Sequence, residues 1–229
     1  MNVVATDKMH SLIHLPASKS ISNRALVIGA LCEDEVELEN VSDCDDSAVV
    51  AAALCEMPEV IDIKSAGTAM RFLTSFLATR CGEFVLTGSE RMCNRPISVL
   101  VDALRSLGAD ISYVGTEGYP PLKIKGRRLD GGRLALSGNV SSQYISSLLM
   151  IGPTLRKGLA LQLEGNIVSR PYIDMTMSIM RQFGAQVRWS SANEIVVASG
   201  GYSPAAYSIE NDWSAASYWY EMVALSSDE

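Results

Sequence analysis

The sequence predicts an α/β fold in which three βαβαββ units form one domain with pseudo-threefold symmetry. Strand-like runs and apolar runs of helical length alternate from residue 16 to residue 207. Landmarks between residues 86 and 109 recur between residues 163 and 185. Small polar residues also begin the first helix of each unit. Together, the alternation and the repeat favour one mixed α/β domain.

The repeat is clearest between the second and third units. Three landmarks recur at spacings of 75, 76 and 77 residues, so the period holds with small insertions and deletions. The matching pairs are Arg95-Pro96 with Arg170-Pro171, Leu107-Gly108-Ala109 with Phe183-Gly184-Ala185, and Leu86-Thr87-Gly88 with Leu163-Glu164-Gly165. The first unit is a more divergent copy, because it lacks the Arg-Pro helix start.

The first unit opens with a helix that we predict to begin near Lys19. Pro16 ends the preceding segment, and the serines that follow can cap the helix. An apolar run, 25–31, continues it. The unit then has a strand at 35–39 and a helix at 48–55.

The second unit places small residues before an apolar helix that carries Arg71 on its first turn. Its second helix is predicted from Arg91 to Leu107, with Pro96 in the first turn and Gly108 as the residue that ends the helix. The predicted strands of this unit are 60–63, 83–87, 110–114 and 122–125.

The third unit repeats this order. Its predicted strands are 134–136, 159–163, 186–189 and 194–198. Its first predicted helix starts within 137–144 and continues through the apolar run 145–151, and its second spans 169–182. Beyond it, Asp212 caps a further helix that stops after about two turns. That abrupt stop predicts a truncated chain.

Composition limits the classes of function. The chain has 229 residues, 48% of them hydrophobic, and a net charge of −7, which argues against general nucleic-acid binding. Five cysteines without CxxC or metal-ligand spacing predict free thiols in a reducing cytoplasm. No signal peptide or membrane span is predicted.

The helix starts predict an anion-binding site. Backbone N–H groups at a helix N-terminus favour phosphate or carboxylate, arginine binds either through two N–H groups, and serine donates to phosphate oxygens. Each residue alone is also explained as a helix cap or a surface ion pair. The candidates are Lys19, Ser20, Arg24, Gly67, Thr68, Arg71, Arg95, Ser141, Ser142, Gln143, Ser169 and Tyr172.

These motifs together resemble the 5-enolpyruvylshikimate-3-phosphate synthase family, in order, over residues 16–218. Two departures from the family pattern are Ser65, where many members carry asparagine, and Phe72, where proline is common. We expect Phe72 to affect the start of that helix and the response to phosphonate inhibitors such as glyphosate. The matching motifs are Pro16 to Arg24, Ser65 to Arg71, Arg91 to Ile97, Ser141 to Tyr144, Ser169 to Tyr172 and Asp212 to Tyr218.

The resemblance implies an inside-out α/β barrel and transfer of the enolpyruvyl group of phosphoenolpyruvate to the 5-hydroxyl of shikimate 3-phosphate, without metal or organic cofactor. Lys19 would be catalytic, because one cation near both substrates stabilises developing charge. The implied shikimate 3-phosphate ligands are Lys19, Ser20, Arg24, Ser141, Ser142, Gln143, Ser169 and Tyr172. The implied phosphoenolpyruvate ligands are Lys19, Gly67, Thr68, Arg71, Arg95 and Gln143.

The resemblance also implies a missing second domain, since family enzymes are about twice as long. Residues 1–15 would lie at the interdomain crossover, 16–207 would form the N-terminal domain, and 208–229 would lead into the second domain. The acid and base would come from that absent half, so this chain is expected to be inactive alone. Asp43, Asp45, Asp46 and Asp102 are acid–base candidates by residue type only, and otherwise solvated or capping groups.

Three alternative functions share part of this pattern. UDP-N-acetylglucosamine enolpyruvyl transferase shares the chemistry but would show asparagine after the first lysine, where this chain has Ser20. RNA 3′-terminal phosphate cyclase uses a histidine nucleophile, and here His10 and His14 precede the domain and belong to no such motif. A non-enzymatic anion-binding module stays open on the sequence alone.

Overall fold

The computed structural model describes residues 12–225, which form two four-stranded mixed sheets, a small parallel pair of strands, and helices between them. The first helix, α1, spans Lys19–Leu31, and the side chain of Ser18 accepts a hydrogen bond from the Ile21 N–H at its start. A short strand, β1 (Leu38–Glu39), and a helix, α2 (Asp45–Glu56), follow. The predicted start of the opening helix is therefore confirmed.

The second unit has the predicted strand order along the chain. Its elements are β2 (Val60–Asp62), α3 (Gly67–Thr79), β3 (Gly82–Thr87), α4 (Glu90–Cys93), α5 (Ser98–Ser106), β4 (Asp110–Tyr113) and β5 (Leu122–Gly126). The sheet order is β2-β3-β5-β4, with β2 parallel to β3 and the other pairs antiparallel.

The single helix predicted from Arg91 to Leu107 is wrong. The chain instead forms α4 and α5, separated by residues 94–97. Pro96 has no backbone N–H to continue the helix of α4, and Ile97 before α5 has a non-helical φ of −137°. Arg95 therefore lies on a loop, where its side chain can reach across to α3.

The third unit reproduces the second. Its elements are β6 (Gly132–Ser137), α6 (Ser142–Ile151) with a 3₁₀ turn at Gly152–Thr154, β7 (Leu159–Glu164), α7 (Arg170–Gln182), β8 (Val187–Ser191) and β9 (Glu194–Val197). The order β6-β7-β9-β8 again has one parallel pair followed by two antiparallel pairs.

The repeat extends to individual hydrogen bonds at the end of each second helix. Gly108 and Gly184 both have positive φ, 100° and 78°, which favours glycine over any residue with a Cβ. Before them, Arg105 Nε donates to the Ile111 carbonyl at 3.0 Å and Arg181 Nε donates to the Val187 carbonyl at 2.9 Å. The same helix-to-strand turn is built twice.

The first unit receives a strand from the far end of the domain. The strand β10 (Tyr207–Ser208) pairs in parallel with β1, so that Leu38 faces Tyr207. This pairing corresponds to β2 with β3 and to β6 with β7. In the first unit, β10 therefore takes the position that the first strand, β2 or β6, takes in each of the other two units.

The core lies between three helices, one from each unit. Residues 69–78 of α3 and 145–151 of α6 are buried without interruption, and most of α1 is buried as well. Helices buried on all sides belong to the interior, so α1, α3 and α6 form the centre of the fold. After β10, the helix α8 (Trp213–Leu225) has one buried residue, Ala216, and exposes most of its large apolar side chains.

Candidate functional site

The N-termini of α1, α3 and α6 meet at one end of the core. Near the start of α6, Gln143 Nε2 donates to Thr68 Oγ1, near the start of α3, at 3.2 Å. The Arg24 guanidinium of α1 lies over the ring of Phe72 on α3, 5.3 Å from its centroid. Helix N-termini carry partial positive charge, so this end attracts anions.

Lys19 is half-exposed in the first turn of α1, and its Nζ lies 3.3 Å from Asp46 Oδ2. Asp46 was predicted as an acid–base candidate by type only, and the structure shows it as the ion-pair partner of Lys19. Asp43 and Asp45 are exposed, and Asp102 lies near Arg105 on α5. Among these four carboxylates, Asp46 is the one in contact with a predicted site residue.

Arg24 is the most deeply placed cation of the site, with 3% of its surface exposed. Its Nε donates to Thr176 Oγ1 at 2.7 Å, Nη1 donates to the Ser20 carbonyl at 2.8 Å, and Nη2 donates to Ser146 Oγ at 3.1 Å. Burial lowers the pKa of Arg24 to about 10, because the charged form loses its hydration. No carboxylate among residues 12–225 forms an ion pair with it.

Three bonds leave Arg24 with spare donors. A guanidinium has five N–H groups, one on Nε and two on each Nη. With one hydrogen used on each nitrogen, one N–H on each Nη has no acceptor among the described residues. Two terminal N–H groups of this kind suit a carboxylate or a phosphate.

Two arginines, Arg71 and Arg95, surround the start of α3. Arg71 is 4% exposed, its Nη1 donates to the Gly67 carbonyl at 3.0 Å, and its buried Nε has no hydrogen-bond partner. Arg95 reaches the same place from its loop: a Cβ on Gly67 would lie 2.6 Å from Arg95 Nη1. Gly67 thus leaves room for two guanidinium groups at a helix N-terminus.

The third unit supplies hydroxyl groups. Ser141 caps α6 and accepts from the Gln143 N–H at 3.3 Å, and Ser142 is the first residue of that helix. Ser169 precedes α7, and its side chain makes no capping bond. The Val168 N–H donates to the Gly138 carbonyl at 3.4 Å, so the loops before α6 and α7 lie side by side. Tyr172 is partly exposed, and its ring centroid lies 6.0 Å from Arg24 Cζ.

The structure links most of the predicted site residues. Contacts connect Arg24 to Ser20 and to Tyr172, Thr68 to Gln143, and Gly67 to Arg71 and Arg95. Ser141 and Ser169 lie on the adjoining loops, and Ser142 is the first residue of α6. Ser141 accepts from the Gln143 N–H, and none of the three side chains hydrogen-bonds to a cation of the site. The cationic cluster (Lys19, Arg24, Arg71 and Arg95) therefore comes from two units, and the third unit contributes hydroxyls.

Sequence reasoning missed Ser146 and Thr176, the two hydroxyls that hold Arg24. Both side chains are fully buried. The available signal was a hydroxyl within the apolar run of α6 and another on the buried face of α7. Such a residue needs a hydrogen-bond partner, but the sequence does not show which one.

The arrangement can bind a ligand with more than one anionic group. In residues 12–225, no group of three or more His, Cys, Asp or Glu side chains is placed to hold a metal ion. In the same range, no helix has the length and apolar character that crossing a bilayer requires. The groups of this site that can bind a ligand are cations, hydroxyls and helix N-termini.

Comparison with known proteins identifies the family. The family model described as EPSP synthase (3-phosphoshikimate 1-carboxyvinyltransferase) matches residues 3–61 and 51–229. A 3-phosphoshikimate 1-carboxyvinyltransferase of Bacteroides fragilis (strain YCH46) is 56% identical over 222 residues, covering 97% of this chain and 54% of the relative. The protein of the same name from Photobacterium damsela subsp. piscicida is 40% identical, over 95% of this chain and 58% of its own length.

The fold agrees with a solved structure. EPSP synthase from Acinetobacter baumannii superposes with a TM-score of 0.79 at 24% identity, over 90% of this chain and 52% of that one. The chain thus spans about half the length of the curated relatives it matches. Because the family model matches residues 3–61 and 51–229, the chain belongs to the EPSP synthase family.

Proposed function

We propose that this chain carries the substrate-binding part of a 3-phosphoshikimate 1-carboxyvinyltransferase. The reaction transfers the enolpyruvyl group of phosphoenolpyruvate to the 5-hydroxyl of shikimate 3-phosphate and releases phosphate. The observation that carries the proposal is the buried Arg24, which has two spare N–H groups and no counterion among residues 12–225. The relatives named for this activity support it.

Shikimate 3-phosphate would lie against α1, α6 and α7. The two spare N–H groups of Arg24 suit its carboxylate, since paired guanidinium donors match the two oxygens of that group. Ser141, Ser142 and Ser169 would donate to its phosphate from the adjoining loops. Ser20 and Tyr172 border Arg24 and would contact the ring.

Phosphoenolpyruvate would lie at the start of α3. Arg71, Arg95 and the N–H groups after Gly67 offer positive charge to its phosphate and carboxylate. Thr68 and Gln143 already join the two helix starts, so a ligand between them would contact both. In this proposal the two substrates bind to neighbouring helices.

Lys19 would serve both substrates. Its Nζ now pairs with Asp46, and a phosphate or carboxylate ligand would compete with that carboxylate. A cation beside both substrates stabilises negative charge that develops during addition to the enol ether. The general acid and base are proposed to come from the part of the relatives' length that this chain does not cover.

The cysteines bear on the cellular compartment of the proposed reaction. All five cysteines are free thiols, as is usual for proteins of a reducing cytoplasm. We therefore propose that the reaction takes place there.

Calorimetric titration with shikimate 3-phosphate tests the function. We expect binding that Arg24→Ala weakens about tenfold or more, because a charge-assisted pair is lost, and that a double variant, Ser141→Ala with Ser142→Ala, also weakens. Arg133→Ala is the matched control, since it removes the same charge from an exposed strand position.

Adding phosphoenolpyruvate after shikimate 3-phosphate should give a second binding event that Arg95→Ala weakens. Equal affinity for glucose 6-phosphate would instead favour a general anion-binding module. No binding of shikimate 3-phosphate by the unmodified chain would contradict the proposed function.

A further inference from the structure

The Arg24 guanidinium is held by two hydroxyl groups from two other helices. Thr176 on α7 accepts from Nε at 2.7 Å, and Ser146 on α6 accepts from Nη2 at 3.1 Å. Ser146 Oγ and Thr176 Oγ1 also lie 2.8 Å apart. Both side chains are fully buried. The residues are 122 and 152 positions away from Arg24 in sequence, so the contact is purely tertiary.

The direction of every hydrogen bond in this group follows from the number of hydrogens. A hydroxyl has one hydrogen and can accept twice. The Thr176 hydroxyl spends its hydrogen on the Tyr172 carbonyl, at 2.8 Å. The bond between the two hydroxyls must therefore be donated by Ser146. The chain of donation runs from Arg24 to Ser146, then to Thr176, and ends at the Tyr172 backbone.

In this arrangement Thr176 is saturated. It accepts from Arg24 and from Ser146, and it donates once. A saturated, buried acceptor cannot rotate to another partner without leaving a polar group unpaired, which is costly in an interior. The orientation of the Arg24 side chain is thereby fixed from three helices.

We propose that Ser146 and Thr176 are positioning residues, which hold the Arg24 guanidinium in one orientation and leave its charge available to an anionic ligand. This proposal rests on the proposed function for the identity of that ligand, the carboxylate of shikimate 3-phosphate. The geometric part stands on the hydrogen bonds alone.

The choice of hydroxyls over a carboxylate has a chemical reason. A carboxylate at either position would orient Arg24 equally well, but it would neutralise the cation and repel an anion. Hydroxyl oxygens accept the N–H groups while adding no charge. The rings of Phe72 and Tyr172, 5.3 and 6.0 Å from Arg24 Cζ, also contact the cation without neutralising it.

The first test measures Arg24 without any ligand. In ¹⁵N-labelled protein, we expect the Arg24 Nε–H to exchange with water at least about tenfold more slowly than the Nε–H of exposed Arg128, because it is buried and hydrogen-bonded. Exchange as fast as that of Arg128 in the unmodified chain would overturn the proposal before any variant is made.

Variants then separate positioning from general packing. We expect Thr176→Val to speed Arg24 Nε–H exchange and to weaken binding of shikimate 3-phosphate about tenfold, while Thr176→Ser, which keeps the hydroxyl, restores both. Ser146→Ala should act in the same direction. Unchanged exchange and affinity in both Thr176→Val and Ser146→Ala would refute the role.

Two matched controls are available in the chain. Thr74 is fully buried and donates to the carbonyl four residues before it, as Thr176 does, and Ser147 is a buried neighbour of Ser146. Neither contacts Arg24, so Thr74→Val and Ser147→Ala should leave Arg24 exchange and affinity unchanged. An equal loss of affinity in these controls would assign the effect to packing and overturn the proposal.

The two proposals fail separately. If the unmodified chain does not bind shikimate 3-phosphate but the exchange results hold, the positioning of Arg24 is supported and the proposed function is wrong. If the chain binds and neither Thr176→Val nor Ser146→Ala changes exchange or affinity, the positioning role is wrong and the function stands.

Discussion

Arg24 is a buried cation whose acceptors among the described residues are neutral. Charge of this kind is costly inside a protein unless hydrogen bonds compensate for lost hydration. Three such bonds compensate in part, and the remaining cost appears as a pKa lowered to about 10. Binding of an anion would therefore stabilise the charged form of the Arg24 side chain.

The lowered pKa makes anion binding sensitive to alkali. As pH rises through about 10, Arg24 loses its proton and the charge that attracts the ligand. Affinity for shikimate 3-phosphate should therefore fall about tenfold between pH 8 and pH 11. Calorimetry across this range measures the effect.

The first control for this titration is Tyr172→Phe, which removes the phenol whose ring lies 6.0 Å from Arg24 Cζ. The second is Lys19→Met, which removes the amine that would also contact the ligand. A fall in affinity that is retained in both variants assigns the titration to Arg24. Constant affinity up to pH 11 would show that burial does not lower the pKa of Arg24.

Gly67 is important because its missing side chain leaves room for Arg95. In Gly67→Ala, the new Cβ would meet Arg95 Nη1 at 2.6 Å, and the end of a flexible side chain can move away at little cost to stability. We expect unfolding by urea to be nearly unchanged, while phosphoenolpyruvate affinity drops several-fold because Arg95 is displaced. Gly115→Ala, with open space around it, is the control. Unaltered phosphoenolpyruvate binding in Gly67→Ala would contradict the assignment.

At the scale of elements, the sequence was most informative where local chemistry decides the outcome. The helix starts at Lys19, Gly67 and Ser142 follow from capping and small residues beside an apolar run, and Gly108 ends its helix as predicted. The break between α4 and α5 was missed, because Pro96 is compatible both with a first helical turn and with a loop.

The site residues also differ in how far the sequence alone could predict them. Clusters such as Lys19 to Arg24 are visible because their members are neighbours in the chain. The bonds from Arg24 to Ser146 and Thr176 join residues more than a hundred positions apart, and hydrophobic patterns do not specify which buried hydroxyl meets which donor.

The contact between β5 and α3 leaves no room for a side chain at Gly126. Gly126, at the end of β5, lies against the C-terminal turn of α3, where a Cβ would overlap the carbonyl oxygens of Leu77 and Arg80. Gly126→Ala should lower the free energy of unfolding by about 3 kcal/mol, since a backbone overlap forces strand and helix apart. Urea denaturation compares it with Gly115→Ala, and equal stabilities would contradict this packing.

For the whole molecule, the repeat explains why one end of the fold is suited to anions. Three central helices, α1, α3 and α6, run with their N-termini together, so their partial positive charges add at one place although the chain carries a net charge of −7. Symmetry among the units produces a local field that composition alone does not suggest.

The extent of the chain gives a prediction about turnover. The chain spans about half the length of its curated relatives, and among the four aspartates named as acid–base candidates, Asp46 is the one at the cluster, paired with Lys19. We expect no phosphate release when it is mixed with shikimate 3-phosphate and phosphoenolpyruvate. Adding the remaining half of the Bacteroides fragilis relative should restore release, and turnover by this chain alone would contradict the proposed division of roles.

The pairing of β1 with β10 also affects how the protein is made. On the ribosome, the second unit can complete its sheet once residue 126 has left the exit tunnel, because all four strands lie within 60–126. The first unit must wait for residues 207–209, since Asn40 Nδ2 and the Ile209 carbonyl, 169 positions apart, meet beside that pair. Of the three units, the first to be synthesised is therefore the last to be completed.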